Sequence, residues 1–264
     1  MNCLSVVIIT RNEEKNIINC IRSARKISDD IIIVDCGSVD ETVELAAGEG
    51  ARVFSIEWSG YGHSRNYGAS QAKYNWILSL DADERISPQL IASLPDLDNT
   101  PTSEVFKFKR RNYIGEELIR FGTPGFETVL RIYNREHCQW DHSLIHENLE
   151  TSKKNARLLN GYIDHYSFLD YSDHKAKARH YAMLSAEKYS MEGRKASYIK
   201  RFGSPVFNSL KSYLIHFGFL DGKKGFVVAK TIAYYSWLKY YYLNERSKEE
   251  ISFRPVPKME AITN

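Results

Sequence analysis

Asp81-Ala82-Asp83 stands directly after the apolar run Trp76-Ile77-Leu78-Ser79-Leu80. Two carboxylates two positions apart, where a buried strand gives way to a loop, form half of a site for a hard divalent cation. Mg²⁺ and Mn²⁺ prefer oxygen ligands, and Mg²⁺ is commonly held by one or two carboxylates together with substrate phosphates and water. The bare pattern more often marks a solvated loop after a strand. Its company argues for chemistry: Asp35 and Asp40 flank an earlier strand end, and Arg65-Asn66 lies just upstream. Arg65 offers a permanently charged fork suited to a diphosphate, and it also suits a solvated helix surface. Asp35 is equally suited to accept hydrogen bonds from a base or ribose and to cap a helix. Asp40, at the start of the next helix, reads as a dipole-stabilising residue.

These residues need elements to position them. Leu4–Ile9 is a nearly continuous β-branched run, as expected for a strand covered on both faces. Asn12 is the expected N-cap of a helix containing Ile17, Ile18, Ile21 and Ala24. Ile31–Val34 is the second strand, and a helix follows through Thr42, Val43, Leu45 and Ala46, ended by Gly48 or Gly50. Val53–Ile56 is a third strand, residues 63–73 a third helix, and Trp76–Leu80 a fourth strand. This alternation predicts a mainly parallel α/β sheet with right-handed crossovers. Ligands of such sheets bind outside the carboxyl ends of the strands, where Thr10, Asp35 and Asp81 all fall. No P-loop and no Gly-x-Gly-x-x-Gly opens a helix, which weighs against kinase-type NTPases and dinucleotide oxidoreductases. The remaining reading is a nucleoside diphosphate held through a metal by Asp83, with or without Asp81.

Composition bounds the class. A chain of 264 residues, 43% hydrophobic, suits one large or two small domains with a real core. Net charge is +3 over 36 basic and 33 acidic residues, too balanced to indicate a nucleic-acid binder. Cys3, Cys20, Cys36 and Cys138 are scattered without a CxxC pair, as expected in a reducing compartment. No signal-peptide pattern and no apolar run of transmembrane length is evident, so the expectation is a cytoplasmic protein.

The sequence resembles the family 2 glycosyltransferases of the GT-A fold, in the branch that includes lipopolysaccharide-core glucosyltransferases. The resemblance is carried by residues 5–13, by Ile33-Val34-Asp35-Cys36-Gly37-Ser38-Val39-Asp40-Glu41-Thr42, and by residues 76–85. Val129-Leu130-Arg131-Ile132-Tyr133, Ile145-His146-Glu147 and Gly218-Phe219-Leu220-Asp221-Gly222 extend it over most of the chain. It implies inverting transfer of a hexose from a nucleoside-diphosphate sugar, a UDP-sugar above all, using Mg²⁺ or Mn²⁺. Thr10, Asn12, Glu13 and Ser38 would border the nucleoside pocket, Asp35 would contact the base, and Arg65 would face the diphosphate. Asp83 would bind the metal, with Asp81 beside the ribose or the metal, and Arg131 and His146 would belong to the substrate site. Cys36 departs from the pattern, since many relatives carry a second aspartate there. The absence of Gln-x-x-Arg-Trp points to addition of a single sugar rather than polymerisation.

An inverting transfer needs a general base opposite the departing diphosphate. Glu147 is the expected base, set against a surface carboxylate in a loop; Glu84 is a rival that also suits a bridge to Arg85. His137, Cys138, His142, His146 and Glu147 crowd one segment, but their spacing fits no familiar zinc pattern. His165-Tyr166 suits either a second acceptor contact or a structural histidine.

The expected organisation is therefore a nucleotide-sugar-binding half over 1–100, an acceptor-binding half over 101–166, and a C-terminal helical region over 167–264. In that region Arg194, Lys195, Lys200 and Arg201 cluster near Phe202, and aromatics mix with lysines from Phe217 onward. That mixture suits a membrane–water boundary as well as a helix packed on the catalytic domain. The expected partners are a nucleotide-sugar donor, a glycan or glycolipid acceptor and the cytoplasmic membrane face, with no nucleic acid; no oligomeric state follows. The rival readings are a nucleotide-sugar-binding regulator without turnover and a nucleotidyltransferase.

Overall fold

A computed structural model describes residues 3–141, 148–150, 156–168 and 170–248. The chain divides into two compact units, Met1–Tyr113 with Glu127–Ser167, and Ile114–Phe126 with Phe168–Asn264.

The first unit opens with β1 (Leu4–Thr10), α1 (Ile17–Ala24), β2 (Asp30–Asp35), α2 (Thr42–Gly48), β3 (Arg52–Ser55), α3 (Tyr61–Ser70) and β4 (Trp76–Asp81). β5 (Glu84–Ile86), α4 (Pro88–Ala92) and β6 (Val105–Ile114) follow. The chain then passes through β7 (Glu117–Ile119), which lies in the second unit, and returns in β8 (Thr128–Asn134), β9 (Gln139–Trp140), β10 (Leu149–Glu150) and β11 (Ala156–Phe168). The main sheet runs β3-β2-β1-β4-β8-β6-β11-β5. Its first four strands are mutually parallel, whereas β8 runs antiparallel to both β4 and β6.

β1 is buried along its whole length because it carries helices on both faces. Val6 and Ile8 join Ile17 and Ile21 of α1 on one side, while Val7 and Ile9 join Ala69 of α3 on the other. Gly68 permits that second contact: a Cβ there would lie 2.4 Å from Val7 Cγ1 and 2.8 Å from Val34 Cγ2. α3 is thereby pressed onto β1 and β2, which fixes where Arg65 emerges.

Asn12 does not cap α1, which begins at Ile17 with Asn16 before it. Asn12 instead takes a left-handed conformation, with φ of 54°, which asparagine tolerates better than most residues. Its side chain accepts a hydrogen bond from Val39 N at 2.8 Å, in the loop after β2.

The second unit is built on α5 (Tyr171–Met191), α6 (Tyr198–Leu210) and α7 (Lys223–Lys248). Ala178, Ala182 and Ala186 give α5 a small-residue buried face, and α7 docks on it through Ser185 Oγ–Tyr235 Oη (2.8 Å) and Arg179 Nε–Tyr242 Oη (3.1 Å). The α7 aromatics from Tyr235 on are thus packing residues. Asp221, in the tail segment that resembles the family, accepts backbone N–H groups of Arg120 and Phe121 at 3.0 and 2.9 Å. It ties residues 120–121 to the turn before α7. Among the described residues, no helix is long and apolar enough to cross a membrane.

Candidate active site

β1 lies between β2 and β4, and the register places Thr10 beside Asp35 and Ile9 beside Asp81. Three loops therefore leave adjacent strands at one edge. The first two latch together: Asn12 N donates to Ser38 Oγ at 2.9 Å, and Glu13 N donates to Thr42 Oγ1 at 2.8 Å. Asp40 receives Glu14 N at 3.2 Å and Thr42 N at 3.1 Å, so it closes the turn leading into α2 and joins the latch. The buried Asp35 carboxylate gathers its own loop, accepting Gly37 N and Ser38 N at 3.1 Å each and the Ser38 hydroxyl. Thr10 Oγ1 is buried at this edge with no hydrogen-bond partner among the described residues. A buried hydroxyl left in that state is costly unless something meets it. Cys36 sits beside them with its thiol 3.3 Å from Ser64 Oγ, and burial pushes that thiol's pKa up. It is a packed neutral group at this edge.

Asp81 ends β4 between two guanidinium groups. Arg65 Nη2 lies 2.6 Å from Oδ1, and Arg131 Nη2 lies 2.8 Å from Oδ2. Arg65 is buried, donating to Ser79 Oγ at 2.6 Å with its guanidinium 5.0 Å from the Trp140 ring centroid. Burial alone would raise the Asp81 pKa, but Arg65 and Arg131 hold it far below the usual carboxylate range. The charge alternation continues inward. Arg131 Nη2 is 3.0 Å and Arg110 Nη1 3.3 Å from Glu84 Oε1, and Arg110 Nη2 is 2.6 Å from Glu127 Oε1. Glu84 is 0% exposed and also accepts Asp81 N at 3.0 Å. It pairs with Arg110 and Arg131, so neither the rival base nor the bridge to Arg85 describes it. Arg85 lies over the Tyr166 ring, 3.9 Å from its centroid.

Asp83 follows on the loop side. His165 Nε2 lies 3.4 Å from Asp83 Oδ2, and His165 Nδ1 is 2.6 Å from Asn112 Oδ1. Burial works against the charged imidazole, but the Asp83 carboxylate outweighs it and the net shift is upward. Tyr166 N also donates to Asp83 O at 2.9 Å. β11 thus backs the Asp83 turn.

The donor set favours Asp83 over Asp81 as the residue for a hard cation. A cation on Asp81 would displace or repel two guanidinium groups, since both carboxylate oxygens are engaged. Asp83 faces an imidazole that can give up its proton as a cation arrives. Among the described residues, no group of three or more His, Cys, Asp or Glu side chains could hold a metal ion. A cation held by Asp83 would complete its shell with further oxygen ligands, as Mg²⁺ commonly does with substrate phosphates and water. His137 is 2.8 Å from Thr102 Oγ1 and Cys138 is buried; His142, His146 and Glu147 lie outside the described residues.

Glu84 is the residue whose role sequence reasoning misread, and the pairing of Arg131 with Asp81 and Glu84 is the contact it did not foresee. Arg131 is buried and donates to both the Asp81 and the Glu84 carboxylates. An arginine alternating with apolar residues on a strand was the available signal that it points inward.

The chain belongs to glycosyl transferase family 2, whose family model matches residues 5–156, from β1 to the start of β11. It is a glycosyltransferase with the GT-A arrangement of a mostly parallel sheet and a C-terminal helical region. It is 31% identical over 250 residues to the lipopolysaccharide core biosynthesis glycosyltransferase LpsC of Rhizobium meliloti, covering 89% of each chain. An uncharacterized glycosyltransferase of Rickettsia typhi is 29% identical, over 94% of this chain and 88% of its own. The crystal structure of TarS residues 1–349 from S. aureus superposes with a TM-score of 0.48 at 16% identity, over 97% of this chain and 95% of that one.

Proposed function

We propose that the protein moves one sugar, with inversion at the anomeric carbon, from a UDP-sugar to a hydroxyl of a lipopolysaccharide-core or other lipid-linked glycan. The observation that carries this reading is the convergence of Thr10, Asp35 and Asp81-Ala82-Asp83 on adjoining strand ends. The acceptor class follows the name of LpsC, and the UDP donor follows the family resemblance. Residues 1–100 would supply the donor half and 101–166 the acceptor half, with 167–264 a helical extension. The protein would work at the cytoplasmic face of a membrane, where a lipid-linked acceptor resides.

In this reading Thr10, Asn12, Glu13 and Ser38 shape the nucleoside pocket, and the orphaned Thr10 hydroxyl supplies a hydrogen bond there. Asp35 both organises that loop and faces the base. Asp83 holds Mg²⁺ or Mn²⁺, which when bound would offset charge gathering on the departing diphosphate. Asp81 keeps Arg65 and Arg131 in place, so that their positive potential reaches the diphosphate without either side chain leaving its partner. Such fixed charges need no reorganisation during the reaction. Glu147, with His146 beside it, takes the proton from the acceptor hydroxyl as its oxygen attacks the anomeric carbon. That assignment rests on the family resemblance.

Calorimetric titration with UDP, GDP and their sugars, with Mn²⁺ or with EDTA, tests the donor site. Metal-dependent binding of a uridine diphosphate is the expected result. Failure to bind any of these nucleotides would sink the donor-site reading.

A further inference from the structure

α6 turns its apolar face outward. Ile199, Phe202, Val206, Phe207 and Leu210 recur along one side of the helix, and Ile199, Phe202 and Phe207 are 84%, 57% and 62% exposed. Leu214 and Ile215 carry the exposure past the helix end. The opposite side of α6 is the one that packs. Pro205 is buried, Asn208 Nδ2 donates to Ser236 Oγ of α7 at 3.0 Å, and Arg201 lies 5.2 Å from the Tyr241 ring centroid. No described residue covers the apolar stripe. A surface helix ordinarily faces its apolar side to the core, and a contiguous exposed patch of this kind marks an interaction site.

Charge identifies the occupant. Residues 193–220 contain no Asp or Glu, but they contain Arg194, Lys195, Lys200, Arg201 and Lys211. Lys195, Lys200 and Lys211 are exposed beside the stripe, and Lys223 follows at the start of α7. A two-fold contact with a second copy would bring these like charges together. An apolar stripe flanked by lysines, on a helix that does not span, matches an amphipathic helix lying in an anionic lipid surface.

We infer that α6 and the residues following it form a docking surface for an anionic bilayer, with Phe202 and Phe207 entering the acyl boundary and Lys200 and Lys211 resting among the headgroups. This assigns the membrane contact to α6 rather than to the α7 aromatics from Tyr235 on, which are packed against α5 and α6. The inference stands on this face alone and does not depend on the donor-site reading.

The test is co-sedimentation of the full chain with phosphatidylcholine vesicles, with and without phosphatidylglycerol. The comparison uses wild type, Phe202→Ser/Phe207→Ser and Lys200→Glu/Lys211→Glu, with circular dichroism to verify folding. Wild type is expected to bind only the anionic vesicles, and added salt to weaken it. Each double variant should lose about tenfold or more in partitioning while remaining folded. Wild-type protein that ignores anionic vesicles, or folded variants that bind as well as wild type, would overturn the inference. A wild-type dimer that the Phe202→Ser/Phe207→Ser change dissociates would assign the face to a second copy. Vesicle binding that appears only after residues 249–264 are removed would assign it to the chain's own C-terminal segment. Both of those outcomes also overturn the inference. Nucleotide titration of the same variants separates the two readings, because loss of vesicle binding should leave UDP binding intact.

Discussion

Arg131 Nη2 lies 2.8 Å from Asp81 Oδ2, so the residue that opens the Asp-x-Asp pattern is held by an arginine from the antiparallel half of the sheet. The same nitrogen reaches Glu84 at 3.0 Å. The strand end that presents Asp83 is therefore fastened from behind by an internal charge network.

Removal of one member of that network should be severe. Arg131→Met is expected to destabilise the fold by roughly 3–5 kcal/mol, because the fully buried Glu84 and the largely covered Asp81 lose a shared counter-charge. Arg131→Lys should restore only part of it, since an ammonium lacks the planar fork. Urea denaturation of both variants gives the answer. Wild-type stability in Arg131→Met would show that the network carries no net load.

Asp83 is expected to govern metal dependence alone among the two aspartates of the pattern. Asp83→Ala should abolish the Mn²⁺-dependent part of nucleotide binding and leave the folded state close to wild type. Asp81→Asn should act chiefly on stability, through Arg65 and Arg131. Calorimetry and thermal unfolding on the same two variants separate the roles, and an exchange of the two phenotypes would reverse the assignment.

Glu147→Gln is expected to lower turnover by about 10²–10⁴-fold with donor affinity retained. The pair of measurements matters, because loss of both would indicate a binding or structural part. Near-normal turnover would pass the base role to another carboxylate.

His174 supplies a pH dependence in the helical unit. Burial lowers its pKa, opposed by Asp173, and its Nδ1 has no hydrogen-bond partner among the described residues. The folded state therefore binds this proton more weakly than the unfolded chain, whose histidine titrates near about 6.5. The stability tied to a neutral His174 is present above that pH and falls away as pH drops toward the depressed folded value. His174→Phe, which keeps a ring against Phe168 (4.4 Å between ring centroids in the wild type), should flatten stability between pH 5 and pH 7. A parallel pH profile in wild type and variant would falsify this account.

The parallel half of the fold was legible because its signals are local. Short β-branched runs at β1, β2 and β4, separated by helix-length segments, admit few other arrangements. Asn12 shows where local reading stops. Its position before an apolar helical stretch suggested a cap, yet the loop extends far enough for the side chain to serve Val39 in the adjoining loop. Glu84 shows the same limit. Its nearest cation in sequence is Arg85, but the strand turns it inward to Arg110 and Arg131, 26 and 47 residues away.

The sequence by itself determined the strand–helix alternation, the placement of Thr10, Asp35 and Asp81 at strand ends, and the family. The first two follow from residue type and spacing along a few consecutive positions, and the family from the resemblance of several such blocks. Only the tertiary structure decided that Arg65 and Arg131 converge on Asp81, that His165 backs Asp83, and that α6 turns its apolar face outward. Those outcomes depend on which strands become neighbours and which side of a helix is covered. Strand β8 must lie beside β4 before Arg131 can reach Asp81, and no spacing along the chain encodes that approach.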